Sequence, residues 1–295
     1  MMPYKDVTKK RENDRKYWLK VKGAGPLPVS TAMNRAIDVV QHIKIKVPKH
    51  GLKIAYIPDA QVMPGVDMRH LFWCGQYLAE KRPDVIVCGG DFGDFPSLSR
   101  FGRGERKFEG LRYRRDIDAF HQGMELLMTP IALAKNYKPA LHFTLGNHED
   151  HINRITQEHS FLEGLISQDD LHLADYGWNV HPFMQPIAIA GVAFCHYFPS
   201  GGLGRPITTA RDILNKLHMS AIAGHQQGRD IAYGKRADGR QMTAIISGSF
   251  YQHDMSYLSP FTNAHWRGMW LLHQVKNGEF DEMALSIDYL KRRYA

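Results

Sequence analysis

The chain has 295 residues, 43% of them hydrophobic and 23% charged, a composition that excludes wholesale disorder and allows a substantial core. No apolar run approaches the roughly 18 residues of a membrane span, and the charged start "MMPYKDVTKKRENDRKYW" lacks the apolar stretch of a secretory leader. The formal charge of +8 is unevenly spread: residues 1–22 carry eight Lys/Arg against three Asp/Glu, and residues 100–115 carry seven against two. Such patches attract polyanions, and Phe101, Phe108 and Tyr113 in the second could stack on bases, so nucleic acid is the expected partner and no membrane is. The alternative is a solvated basic surface that only keeps the protein soluble. Three cysteines (Cys74, Cys88, Cys195) without a CxxC pair argue against a disulfide framework and for a reducing, cytoplasmic setting. Cys88 and Cys195 fall inside apolar runs and read as inert core residues.

In chain order, residues 1–48 read as a basic N-terminal extension. It comprises a charged helix-prone stretch, a "GAGPLP" break and "STAMNRAIDVVQHIKI", where Ser30 or Thr31 would cap a helix. Residues 49–295 read as one domain. "LKIAYIPD" is a short apolar run ending in a carboxylate, followed by a helical pattern over 67–82. "DVIVCGGD" repeats the arrangement, and after the basic loop a helical pattern covers about 115–136, with Ile117, Phe120, Met124 and Leu127 at helical spacing. "ALHFTLGN" is a third run, and "HINRITQEHSFLEGLI" the next helix. Alternating short strands and helices imply parallel strands buried on both faces.

The second half changes character. "HPFMQPIAIAGVAFCHYF" reads as two strands around Ala190-Gly191, "TTARDILNKLH" as a helix and "MSAIAGH" as a strand. Two hairpins follow, turning at Asp238-Gly239 and Asn277-Gly278. This half should build a mainly antiparallel sheet. The expected fold is α/β, a four-layer αββα sandwich of two mixed β-sheets flanked by helices.

Chemistry-bearing residues gather at the strand ends. The first run ends in Asp59 and Gln61, the second in "GGDFGD" with Asp91 and Asp94, and the third in "GNHE" with Asn147, His148 and Glu149. Later, "FCH" ends at His196, and "IAGHQQ" supplies His225 and Gln227. In α/β sheets, groups at the carboxyl ends of adjacent strands converge on one crevice. Each piece alone is weak, since an Asp after a strand is usually a turn residue. Five in order, each closing an apolar strand, point to one site of oxygen and imidazole ligands.

This series resembles the calcineurin-like metallophosphoesterases, whose pattern is D-x-H, G-D-x-x-D, G-N-H-[DE], a later H and G-H-x-H, and in length it resembles the short members found in phage genomes. The match runs from about 52 to 228. The resemblance implies two divalent ions roughly 3.5–4 Å apart that clamp a phosphate and activate a hydroxide. Asp91 would bridge them, with Asn147, His196 and His225 completing one shell and Asp59 on the other. His148 would act on the leaving oxygen, held by Asp94.

This chain departs from the pattern where Gln61 and Gln227 stand in place of histidines in the same metal shell. Amide oxygen suits Mn²⁺ or Mg²⁺ rather than Zn²⁺, so this first site should be the weaker and should favour Mn²⁺, with Mg²⁺ the alternative. Arg154, after the third run, is a candidate phosphate contact. Arg205 lies in "PSGGLGRP", which reads as a surface connector or as a loop closing over substrate. The leading expectation is a phosphodiesterase acting on nucleic acid, as a nuclease or nucleotide-end processor. The alternatives are a small-molecule phosphatase or cyclic-nucleotide phosphodiesterase, and a catalytically decayed binding module.

Overall fold

The computed structural model describes residues 40–100, 106–202, 204–254 and 263–295. The expected helix cap at Ser30 or Thr31, most of the basic extension, and Phe101 lie outside the described residues. The fold is an αββα sandwich. Strands β2 (Leu52–Ile57), β3 (Val85–Cys88) and β4 (Ala140–Thr144) alternate with helices α1 (Arg69–Lys81), α2 (Tyr113–Leu133) and α3 (Asn147–Glu158). Strands β2, β3 and β4 pair in parallel, as buried apolar runs joined by helices should, and β5 (Asn179–His181) extends them.

The second sheet takes β1 (Gln41–Ile43), β6 (Ile187–Ile189), β7 (Val192–Cys195), β10 (Ala221–Ala223), β11 (Arg229–Lys235) and β12 (Gln241–Ser247), in the spatial order β1-β6-β7-β10-β12-β11. A small ribbon, β8 (Pro199–Ser200) with β9 (Arg205–Pro206), and helix α4 (Ala210–Leu217) lie between β7 and β10 in sequence. Three expectations need correction. The sheet is not mainly antiparallel: β7, β10 and β12 run parallel, and only the β6–β7 and β11–β12 hairpins are antiparallel. The cause is the α4 crossover, which returns β10 in the direction of β7. Residues 41–43, expected within the N-terminal extension, form an edge strand parallel to β6, and the compact unit begins at Val40. Last, the hairpin of β13 (Gly268–Lys276) and β14 (Glu279–Ser286) joins the first sheet beside β2 and is followed by helix α5 (Ile287–Tyr294).

Period-two alternation explains the layers. Leu52, Ile54 and Tyr56 of β2 and Val85 and Val87 of β3 face Ile187, Val192, Phe194, Ile222 and Ile245 of the other sheet in one fully buried core. Their neighbours Ala55, Ile57, Ile86 and Cys88 face the opposite way, onto Leu71, Cys74 and Leu78 of α1 and Phe120, Met124 and Leu127 of α2. Those helix positions recur every three or four residues, the stripe a helix must bury. The far face of the second sheet uses small side chains, Ala193, Ala221, Ala223 and Ala244, so that α4 packs close through Ile213 and Leu214. The three cysteines are free and buried. Two hairpin turns, Ala190-Gly191 and Asn277-Gly278, have positive φ at both positions, the twist that tight hairpins need. They also touch, the Gly278 N–H donating to Ala190 O at 2.8 Å, which ties the two sheets together at that end. No described helix is long and apolar enough to cross a membrane.

Candidate metal centre

The carboxyl ends of β2, β3, β4, β7 and β10 deliver their loops to one edge of the sandwich. His196 follows β7 and is fully buried. Its Nδ1 lies 2.9 Å from Gly89 O, so this nitrogen carries the proton and donates. Nε2 points inward and faces Asn147 Oδ1 at 2.9 Å, Asp91 Oδ2 at 3.2 Å and His225 Nδ1 at 3.2 Å. The convergence calls for positive charge, which either a proton on Nε2 or a bound cation supplies. Burial disfavours the His196 imidazolium, but Asp91, its hydrogen bond and Asp59 outweigh burial and lift the group to about 9. Among the described residues, Asp91, His196 and His225 are the group of His, Cys, Asp or Glu whose ligand atoms all lie within 4.8 Å of one another. With Asn147 they make a set of carboxylate, amide and two imidazoles that fits a divalent ion.

Glycines permit this crowding. A Cβ on Gly146 would fall 2.1 Å from Asp91 Oδ1, and one on Gly224 would fall 2.3 Å from Asp59 Oδ1. The backbone holds the carboxylates in turn. His148 N–H donates to Asp91 Oδ1 (2.9 Å), and His225 N–H donates to both oxygens of Asp59 (3.1 and 3.0 Å). Burial raises Asp91, but His196 and His148 together hold its carboxyl well below the usual range. Asp59 goes the other way: burial, against the pull of His196, pushes it up to about 7. His225 falls to about 4 through burial and the adjacent His196.

His148 sits beside this cluster and is half-buried. Its Nδ1 faces Asp94 O at 2.6 Å and Asp94 Oδ1 at 3.2 Å, leaving Nε2 directed inward, 3.7 Å from Asp91 Oδ2. Burial opposes its charge, but Asp91 and the hydrogen bond to Asp94 raise it to about 10. A cationic imidazole with one nitrogen held and the other free is a proton donor.

The two glutamines differ. Gln61 is 1% exposed, and neither amide atom has a hydrogen-bond partner among the described residues. A buried amide without partners, hydrogen-bonded through its backbone to Asp91, suits a group held at this cluster. Gln227 Oε1 accepts from the Tyr251 hydroxyl at 2.8 Å. Gln61, Asp91, His225 and Gln227 all have left-handed φ, between 40° and 67°, a strained clustering typical of functional sites.

Some roles were not assigned from sequence. Glu149 is fully buried, and its carboxylate accepts the N–H groups of Asp91 (2.9 Å), Gly93 (3.1 Å) and Gly146 (2.8 Å), stitching the second and third loops together. Tyr251 follows β12 and orients Gln227. Its own hydroxyl lies 3.2 Å from His265 Nε2. The two candidate arginines have other surroundings. Arg154 donates to Leu98 O at 2.9 Å and pairs with Glu158 at 3.7 Å, and Arg205 is exposed on the β8–β9 ribbon. Within "PSGGLGRP", Pro199 and Ser200 pair with Pro206 and Arg205 to form that ribbon.

Fold and site together define a class: an αββα sandwich with a buried histidine–carboxylate cluster at the strand ends, able to hold a divalent cation. No protein-family model matches the chain. No curated protein matches it either. Among solved structures, a conserved uncharacterised protein from Streptococcus pneumoniae, described as a predicted phosphoesterase, aligns at 11% identity over 79% of this chain and 98% of its own, with a TM-score of 0.27. At that score the likeness carries no inference about activity or ligand.

Proposed function

We propose that this chain is a divalent-metal-dependent phosphodiesterase of the calcineurin-like type, acting on nucleic acid, with Mn²⁺ as the preferred ion. The observation that carries the reading is the convergence of Asp91, Asn147, His196 and His225 on one point beside the inward-facing Nε2 of His148. Asp91, Asn147, His196 and His225 would hold one cation. Asp59, Gln61 and Gln227, sharing Asp91, would hold a second. Bound divalent cations supply Lewis acidity, making a water more acidic and clamping phosphoryl oxygens.

The chain does the rest. Glu149 fixes the Asp91 backbone, the His148 N–H fixes the Asp91 carboxylate, and the Gly89 carbonyl fixes the His196 ring. Asp94 keeps the proton on His148 and aims Nε2 at the leaving oxygen, so that departing alkoxide takes up a proton as its bond to phosphorus breaks. A purely structural or decayed site would have no use for that inward nitrogen.

Nucleic acid as substrate is supported by the net charge of +8 and by exposed Arg106, Arg112, Arg114 and Arg115 on the segment that follows Asp94. Tyr113 does not add a stacking face, since its ring packs on the outer core and its hydroxyl donates to Asp170 at 2.7 Å. A cytoplasmic setting, as the free thiols suggest, belongs to the same proposal.

The test is Mn²⁺-dependent hydrolysis of a chromogenic phosphodiester beside the matching monoester, with His148→Ala and Asp91→Asn as controls. Diester cleavage lost in both variants supports the reading. Preference for the monoester would replace it with a phosphatase. For DNA or RNA, affinity should fall steeply with salt as phosphate contacts release counterions, whereas a small ester should respond mildly.

A further inference from the structure

Gln61 is the least comfortable residue of the site. Its backbone is left-handed at φ 40°, its side chain is 1% exposed, and neither Oε1 nor Nε2 meets a partner among the described residues. It cannot withdraw. Gln61 N–H donates to Asp91 O at 3.0 Å and Val62 N–H to Phe92 O at 2.7 Å, so its loop is fastened to the loop that carries Asp91. Strain and an unpaired amide in one residue, tied to the backbone of Asp91, point to a ligand that answers both ends of the amide.

The two ends need different things. Oε1 accepts, and a cation satisfies it. Nε2 donates, and only an electron-rich oxygen satisfies it. An imidazole in this position would give one nitrogen to the cation and turn its N–H away, offering nothing to a second ligand. The neighbouring Gln227 does not make up the difference, because its Oε1 is already shared with the Tyr251 hydroxyl. The cation position beside Asp59 therefore has carboxylates and neutral amides, without the imidazoles that strengthen the His196–His225 set.

We propose that Gln61 binds a cation through Oε1 and a phosphoryl oxygen through Nε2 at the same time, so that the second cation is retained only together with the phosphoryl ligand. The ligand class rests on the phosphodiesterase reading; the linkage is the new element. Because the coupling is thermodynamic, it is reciprocal: the second cation must tighten phosphate by the same factor that phosphate tightens the cation.

The experiment is calorimetric titration of Mn²⁺ into the full chain with and without inorganic phosphate, for wild type, Gln61→His and Gln61→Leu. Wild type should take one ion alone and a second only with phosphate, with a coupling of about tenfold or more. Gln61→His should take two ions in either buffer, which also controls for Mn²⁺ bound by phosphate in solution. Gln61→Leu should take one ion in either buffer, and its metal-free form should melt above wild type because an unpaired amide is gone. That melting point also reports that the variant folds. Two ions in wild type without phosphate, no second ion in either buffer, or a phosphate-dependent second ion that survives in Gln61→Leu would each overturn the proposal. None of these readouts uses turnover, so a failure to cleave diesters would sink the functional reading and leave the linkage to be judged separately.

Discussion

Replacing Glu149 tests how the site is built, because this residue touches no candidate ligand atom. Its carboxylate is fully buried and takes three backbone N–H groups, with Oε2 serving Asp91 and Gly146 and Oε1 serving Gly93. Burial and the nearby Asp91 charge raise its pKa, and the N–H donors pull against them. Glu149→Ala strands three buried donors, each costing about 1–3 kcal/mol, with water expected to rescue part of this. A loss of about 3–5 kcal/mol is expected, a large share of the roughly 5–15 kcal/mol that stabilises a domain. Glu149→Gln keeps an oxygen for Asp91 and Gly146 but sets an NH₂ against Gly93 N–H, so about 2 kcal/mol is expected. Urea denaturation of the metal-free proteins measures both losses, and Mn²⁺ calorimetry shows whether the Asp91 loop has moved. A Glu149→Ala protein as stable as wild type, with unchanged Mn²⁺ affinity, would refute this account of the loops.

Three further outcomes are expected. Gly224→Ala drives a Cβ against Asp59 Oδ1, so cation binding that depends on Asp59 should weaken at least about tenfold by calorimetry, while Gly228→Ala, whose Cβ would meet only Gln226 O at 3.8 Å, should leave it intact. His148→Asn should lower diester kcat/KM by about 10²–10⁴ yet keep Mn²⁺ affinity, since the backbone N–H that holds Asp91 survives; equal loss of metal would make His148 a ligand instead. Burial holds His70 down to about 4 from the ordinary 6.5, so the unfolded chain binds its proton first as pH falls. The contribution of neutral His70 is therefore whole above pH 6.5 and is lost between 6.5 and 4, at up to about 1.4 kcal/mol per pH unit. His148 and His196, raised in the fold, act in the opposite sense, so the measurement is the difference in urea-derived stability between wild type and His70→Gln across that window. Parallel pH profiles would contradict it.

Much of the candidate site was legible because each candidate ligand comes soon after a short apolar strand: Asp91 three residues after Cys88, Asn147 three after Thr144, and His196 next to Cys195. Parallel strands bring such positions together whatever their separation in sequence. The capping-box spacing of Gly146 and Glu149 is local, but the reach of Glu149 to Asp91 and Gly93 and of Tyr251 to Gln227 crosses between loops and was not legible in the sequence. Nor was the left-handed backbone at Gln61, Asp91, His225 and Gln227, where a side chain normally argues against that conformation. In the second sheet, the turn signals at Ala190-Gly191 and Asp238-Gly239 overstated antiparallel pairing. Local turns mark hairpins clearly, but the β7–β10–β12 pairing is made through crossovers that leave no such mark. Residues 41–43 suit a helix by period, and only the open edge of β6 makes them a strand.

The placement of β13 bears on how the protein is made. It pairs with β2 through Trp270 opposite Tyr56, and so closes the flank of the strand that leads to Asp59. A chain leaving the ribosome has exposed every candidate ligand, through Gln227, before β13 emerges at Gly268. Until then β2 has an open edge, and the sheet that aims Asp59 is unfinished. Such long-range pairing is slow to form and leaves strands exposed to wrong partners in the meantime. Completion of the candidate site should thus be a late event in synthesis, set by the arrival of a hairpin that supplies none of its candidate ligands.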